Sequence, residues 1–583
     1  MRTQRLAATP TPEISSATNP STTPRTQLRA AVGAAKRASG GIDQVGQQRG
    51  EPQATSSQPL SGQVRPGSDS PEKNHRAENS SRSTPAPPPR SILAFTDPSA
   101  TVVHVKELGK SNIESAVDRD HVVVVGGGLA GLAAATALAT QNIPTTLFES
   151  RPRLGGRAGS FLDTSRDEWI DHCQHVSLGC CTNLAWLMET VGLDNLFRRD
   201  TTLHFVAPPT PGPSPPEIHH LSTGPFPAPL HLLPALFGLK YLGRRHRREL
   251  RKGLVALARH RDRADDPPIG EWLARQGQSP MAVSGFWNVI LVSALSESLD
   301  RISVSHARQV FVSGFLGHRR GWELLVPRVP LEEIYGRRLS EWLDRRGVTI
   351  RTGAGVARVE IRDDRPCGVR LKDDSFVAAE RVVLAVPHHR VADLLPASLA
   401  ASPSIARLSE LETAPIAAVH AWFDRRFTEL PHAVLVDRLG QWMFRREMSG
   451  EAGDYVQVVI SAAGHLGGRD RSEVIEDVLA ELCRIWPAAS SAQVLQSRLV
   501  IEHRAVISPL PETDSLRPSQ QSSLAGLQLA GDWTRTGWPG TMESAVRSGL
   551  LAVENLLAQQ GIAEPLLQPD LPTGRLARWL LGL

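Results

Sequence analysis

A chain of 583 residues with 40% hydrophobic content is long enough for several domains, yet much of its first 118 residues lacks the large apolar groups a core requires. A formal charge of +5 is mild for this size and gives no argument for a nucleic-acid partner. The five cysteines, Cys173, Cys180, Cys181, Cys367 and Cys483, show no CxxC spacing, which points to a reducing compartment and to no metal site.

Residues 1–118 are rich in Ser, Thr, Pro, Gln and Arg and read as a disordered low-complexity extension. The opening Met1-Arg-Thr-Gln-Arg-Leu has no apolar h-region. An Arg- and Ser-rich, acid-poor start is consistent with either a transit peptide or an extension from a misplaced start codon. At His121 the composition changes abruptly. Four valines, Val122 to Val125, predict a buried parallel strand, and Gly126, Gly128 and Gly131 follow in GxGxxG spacing. Gly126 permits the tight turn, Gly128 lets the backbone approach a pyrophosphate, and Gly131 lets the helix from Leu132 to Thr140 pack closely on the strand. The helix N-terminus supplies free N–H groups and a positive dipole end. A second strand, Thr145 to Glu149, places an acidic residue 23 positions beyond Gly126, where it accepts hydrogen bonds from ribose hydroxyls. Arg153-Leu-Gly155-Gly156-Arg157 comes next, then Asp171-His-Cys173-Gln174-His175.

Further along, Pro227 to Leu242 is apolar but interrupted by prolines, and Gly243-Arg-Arg-His-Arg-Arg-Glu-Leu-Arg-Lys252 follows directly. Two readings stand: a monotopic foot on anionic lipid, or an ordinary domain helix with a solvated basic face. Gly347 to Ile361 reads as strand, turn and strand, and Val382 to Pro387 as a further buried strand. Leu527-Gln-Leu-Ala-Gly531-Asp532-Trp533 is an apolar strand ending in Gly-Asp, and a helix begins near Met542. The tail Arg575 to Leu583 is amphipathic and short, a candidate second foot on a membrane. No run of 18 apolar residues occurs, so no membrane span is expected.

The Gly126 to Glu149 unit, extended by Arg153 to Arg157, resembles flavoproteins of the amine oxidase and carotene desaturase type. The Gly531-Asp532 segment resembles the carboxy-terminal motif of the same family. The resemblance implies FAD as cofactor and an α/β fold: a Rossmann-like FAD-binding domain with an inserted mixed α+β substrate domain. It implies that Gly155, Gly156 and Arg157 close over the cofactor, that the Val356 position contacts adenine through its backbone, and that Asp532 binds the ribityl or pyrophosphate region. The helix at Met542 would point its N-terminus at the flavin pyrimidine edge. The domains then run as FAD segments at 119–200, 341–400 and 506–560, a helical substrate insertion at 201–340, a substrate-domain sheet at 401–505 and an amphipathic tail at 561–583.

Asp171 to Gly179, Pro229 to Leu236, Leu324 to Pro330, Trp422 to Arg425 and Gln441 to Phe444 are similar to segments of the squalene-associated flavoproteins, the hydroxysqualene dehydroxylases of hopanoid pathways. That resemblance implies reductive removal of a hydroxyl from a long apolar isoprenoid, in a cytoplasmic protein peripheral to the membrane. Hydroxide leaves poorly, so the chemistry needs an acid. His175 is the candidate proton source, with Asp171 or Gln174 orienting it; the alternative is a structural histidine. Cys173 stands where the subfamily has glycine, either as a small apolar substitute or as a redox-sensitive thiol. No second dinucleotide fingerprint is present, so electrons come from a separate donor or transient NAD(P)H contact. Three rival readings remain: a phytoene-type desaturase running hydride transfer the other way, a flavin amine oxidase, and a non-catalytic prenyl-lipid-binding relative.

Overall fold

A computed structural model describes residues 120–583 other than 213, 262–265 and 448–452, so the expectation for residues 1–118 lies outside the described residues. The centre is a five-stranded parallel sheet in the order Thr349–Arg351, Thr145–Phe148, Val122–Val125, Arg381–Leu384, Leu527–Leu529. Val124 sits in register between Leu147 and Val383, and all three are shut off from solvent. A strand buried on both faces reads as an unbroken β-branched run, which is why Val122–Val125 occupies the middle.

The helix Leu129–Thr140 follows the first strand and is buried along nearly its whole length. Its alanine-rich surface is covered by the helix Met542–Ala558, which approaches so closely that a Cβ on Gly549 would lie 2.3 Å from the Ala130 carbonyl oxygen. Three distant stretches of chain therefore build one dinucleotide layer.

The second domain is a seven-stranded mixed sheet in the order Val494–Ile507, Thr413–Phe423, Asp454–Ile460, Trp442–Glu447, His432–Leu435, Thr202–Val206, Ile218–Ser222. The 201–340 stretch is therefore not wholly helical. Leu203, Phe205 and Leu221 alternate with polar residues and join its first strands to the 401–505 sheet. On the strand Asp454–Ile460, Val456, Val458 and Ile460 face the helix Arg471–Ile485, whereas Val459 packs into the layer of helices between 230 and 316. That layer contains the π-helical turns Val283–Asn288 and Val310–Leu316, an irregularity found often at functional sites. The chain ends in the helix Arg575–Leu581, docked through buried Ala577 and Leu581. Among the described residues no helix is long and apolar enough to cross a membrane.

Candidate active site

Gly126 takes a backbone φ of +111°, and a Cβ on Gly131 would lie 1.9 Å from the Gly126 carbonyl oxygen, so turn and helix interlock here. Gly128 differs: a Cβ there would meet nothing within 4 Å. The helix it precedes has no side-chain cap and no acidic residue in its first turn. An open cradle in front of unsatisfied N–H groups fits a pyrophosphate. The Glu149 carboxylate accepts from the Gly127 N–H at 2.7 Å and the Arg151 N–H at 2.8 Å, which fixes it at the strand end. The Arg153–Arg157 loop folds onto the same turn, with the Gly155 N–H donating to the Gly127 carbonyl at 2.8 Å. Val356 is buried and opens the strand Val356–Arg362, two residues after Ala354, whose N–H donates to the Glu149 carbonyl.

The carboxy-terminal half closes on this loop. Arg157 forms an ion pair with buried Asp532, and its other terminal nitrogen donates to the Ala505 carbonyl at 3.1 Å. Burial opposes the guanidinium charge, but Asp532 and Glu502 raise its pKa above the ordinary arginine value. Behind Asp532 lies a residue that sequence reasoning missed. Arg517 is fully buried and donates to the carbonyls of Trp538 at 2.6 Å and Asp532 at 3.0 Å, the Ser544 hydroxyl at 3.0 Å and the Asp514 carboxylate at 2.8 Å. It locks the Gly531-Asp532 turn to the first turn of the helix Met542–Ala558. Only Asp514 among its five partners is close in sequence; Asp532, Thr536, Trp538 and Ser544 lie 15 to 27 positions away, so no local motif marks it.

A cavity of about 620 Å³ runs between the two domains. Its wall is mostly Leu, Val and Phe, including Leu203, Phe205, Phe286, Phe311 and Val459. Gln174, Thr541, Met542 and Glu543 contribute to it from the dinucleotide side, while solvent-exposed Leu233, Arg251 and Arg259 mark an opening.

The Asp171–His175 segment is held by its first residue. Asp171 is fully buried and accepts from the Ser160 hydroxyl at 2.6 Å, the Leu331 N–H at 2.8 Å and Arg446 at 3.2 Å. Neither Asp171 nor Gln174 is hydrogen bonded to the His175 ring. The His175 Nδ1 instead lies 2.9 Å from the Cys173 carbonyl, which makes it the donor and leaves Nε2 as an acceptor. Burial drives the His175 pKa below the ordinary value, against the opposing pull of Asp171. Gln174 lines the cavity, whereas His175 is not among its lining residues. Burial, with Asp171 and Glu502 nearby, pushes the Cys173 thiol up to about 12, which fits the small apolar substitute and leaves little thiolate for redox chemistry.

A family of flavin-containing amine oxidoreductases matches residues 129–557. The chain belongs to that family. Among its relatives, the 15-cis-phytoene desaturase of Solanum lycopersicum is 25% identical over 460 residues, covering 75% of this chain and 77% of that one. The hydroxysqualene dehydroxylase of Sinorhizobium fredii is 24% identical over 441 residues, covering 75% of this chain and 99% of that one. In structure, an oxidoreductase from Methanosarcina mazei superposes with a TM-score of 0.59 at 17% identity, over 75% of this chain and all of that one.

This member of the flavin-containing amine oxidoreductases is an FAD-dependent oxidoreductase with a Rossmann-like cofactor domain. The cradle at Gly128 and the uncapped helix suit the pyrophosphate of FAD, and Glu149 suits its ribose. Met542, half-buried at the helix start, brings the cavity to the N-terminus that would face the flavin ring.

Proposed function

We propose that this FAD-dependent oxidoreductase reduces a long isoprenoid alcohol, with hydroxysqualene as substrate and squalene as product. The observation that carries the reading is the cavity: about 620 Å³, lined mainly by apolar side chains, and reaching Gln174 and the helix at Met542 on the dinucleotide side. The hydroxysqualene dehydroxylase relative, aligned over almost its whole length, supports the same reading. In the reaction the C–O bond breaks, the oxygen leaves with a proton as water, and a hydride arrives at carbon. Reduced FAD, when bound, supplies that hydride.

The residues of this chain do the rest. The Leu- and Phe-rich part of the wall keeps water away from the carbon that loses its oxygen. Gln174 reaches the cavity, and its amide nitrogen also donates to the His175 carbonyl at 3.2 Å, tying the loop together. His175 passes a proton toward the departing oxygen through Nε2, and Asp171 favours the imidazolium that this requires. The phytoene desaturase relatives favour a second reading, hydride removal from a polyene.

Leu233 at the opening of the cavity is exposed, as are Phe237 and Trp579, chain neighbours of the lining residues Leu236 and Leu580; the helix Arg244–Arg259, which contributes Arg251 and Arg259 to the lining, turns Arg244, Arg245, Arg248 and Lys252 to solvent. Apolar groups next to a basic face suit an anionic membrane surface, from which a greasy substrate enters. Purified protein with its flavin chemically reduced and given hydroxysqualene, and with its flavin oxidised and given phytoene, tests the function. Squalene from the first supports dehydroxylation, and desaturated product from the second alone overturns it.

A further inference from the structure

Beyond residue 557, where the match to the family ends, the chain continues as a strap that touches both domains. Its first part is pinned to the cofactor domain. Glu554, on the helix Met542–Ala558, accepts from the Leu566 and Leu567 N–H groups at 2.6 and 2.7 Å. The Gln568 N–H donates to the Asn183 side-chain oxygen at 2.8 Å. The Asp570 carboxylate accepts from Arg547 at 2.8 Å and, at 3.2 Å, from the indole of Trp538, which lines the cavity.

The second part lies on the substrate domain. The Gly574 N–H donates to the Gly317 carbonyl at 2.8 Å just before the helix Arg575–Leu581 begins. Residues three and four apart share a helix face, which groups Ala577, Leu580 and Leu581. Ala577 and Leu581 are buried in the apolar cluster of the substrate domain and hold the helix in place. Leu580 is half-buried against the same cluster and lines the cavity together with Leu581. Its carbonyl accepts at 2.9 Å from Arg259, one of the exposed arginines that mark the opening. Trp579 lies off this face and is 77% exposed.

The cavity is thus closed by different parts of the chain: Gln174 and Met542 on the dinucleotide side, Leu580 and Arg259 at the opening. A ligand whose reacting carbon sits on the dinucleotide side meets Leu580 only if its chain extends to the opening. Each methylene so covered raises affinity about fourfold. We infer that Leu580, carried by this strap, is the contact that selects for chain length, packing against the end of the isoprenoid remote from the flavin. The inference rests on the reading that the cavity takes a long isoprenoid and adds what favours the long chain over a short one. It is independent of the direction of hydride transfer.

The test compares the full-length holoenzyme with Leu580→Ala, Leu580→Trp and Leu580→Met, each checked for bound FAD by absorbance and for its melting temperature. The probes are squalene and farnesene, a hydrocarbon of half its length, titrated in detergent. Binding is followed by quenching of tryptophan fluorescence, since Trp442 and Trp538 line the cavity. Leu580→Ala is expected to weaken squalene binding roughly tenfold and to leave farnesene within about twofold. Leu580→Trp, which fills the opening, is expected to weaken squalene at least as much, and Leu580→Met, of similar volume, to stay near the parent. If Leu580→Ala undocks the helix and lowers the melting temperature, Leu580→Trp against Leu580→Met decides by the same ratio. Equal losses for the two hydrocarbons, or no loss for either, overturn the inference. If the unaltered enzyme binds squalene no better than farnesene, the long-isoprenoid reading itself has failed, a result distinct from these.

Discussion

Replacing Gly128 with alanine separates the cofactor's needs from those of the protein. The residue sits at φ −77° and ψ 177°, a conformation alanine adopts freely, and a Cβ there meets nothing within 4 Å. Reduced freedom of the unfolded chain stabilises the variant by about 0.4–1 kcal/mol, and a poorer N-cap costs a similar amount. The apoprotein should therefore stay within about 1 kcal/mol of the parent. The added methyl group, however, occupies the space a pyrophosphate needs. Losing one charge-assisted hydrogen bond costs about 2 kcal/mol, which is roughly a 30-fold weaker FAD affinity. Gly131→Ala makes the contrast, because its Cβ would lie 1.9 Å from the Gly126 carbonyl oxygen, and about 3 kcal/mol of stability should go with it. Urea unfolding of the apoproteins and fluorescence titration with FAD measure both quantities. Gly128→Ala binding FAD as tightly as the parent would refute the placement of the pyrophosphate.

Arg517→Met removes a fully buried cation from its carbonyl and carboxylate partners and should cost about 3 kcal/mol or more, with loss of FAD, read by thermal unfolding and flavin absorbance. Burial holds His231 at about 4 and His420 at about 3, so below pH 6.5 the unfolded chain takes up protons that these imidazoles refuse. Stability should fall as pH drops from 6.5 toward 4, by on the order of 2 kcal/mol for each, and the urea midpoint of His231→Leu should decline less steeply. Because the His175 pKa is lowered, a proton-donating role makes kcat/KM fall with rising pH from an apparent pKa below 6.5, and His175→Ala should flatten that profile while keeping FAD. Phe237→Ser with Trp579→Ser should weaken sedimentation with anionic vesicles about tenfold without changing the melting temperature, since both side chains are exposed.

The cofactor loop was legible because its parts act over a short span: Gly126, Gly128, Gly131 and Glu149 meet within two strands and one helix. The Arg157–Asp532 pair was not, although each residue stood in a recognisable motif, because 375 positions separate them. Arg517 has a local partner only in Asp514; the turn and helix it joins lie 15 or more positions further along the chain. Every residue of Asp454–Ile460 is buried, on both faces, so the run Val456-Gln-Val-Val-Ile460 does not reveal that its cavity side is the one holding Val459. The strands Thr202–Val206 and Ile218–Ser222 pair with each other, but what ties them into the larger sheet is His432–Leu435, more than 200 positions further along the chain. His175 was visible as a candidate, but its tautomer depends on the Cys173 carbonyl, which only the folded loop brings to Nδ1.

The central claim is that this FAD-dependent oxidoreductase delivers a hydride to an isoprenoid alcohol. Its most direct test is anaerobic: reduce the bound FAD chemically, add hydroxysqualene, and follow flavin absorbance together with the products. The expected result is flavin reoxidation with one squalene formed per flavin oxidised. Flavin that stays reduced with hydroxysqualene, but that phytoene reduces when it starts oxidised, would contradict the account and make the enzyme a desaturase.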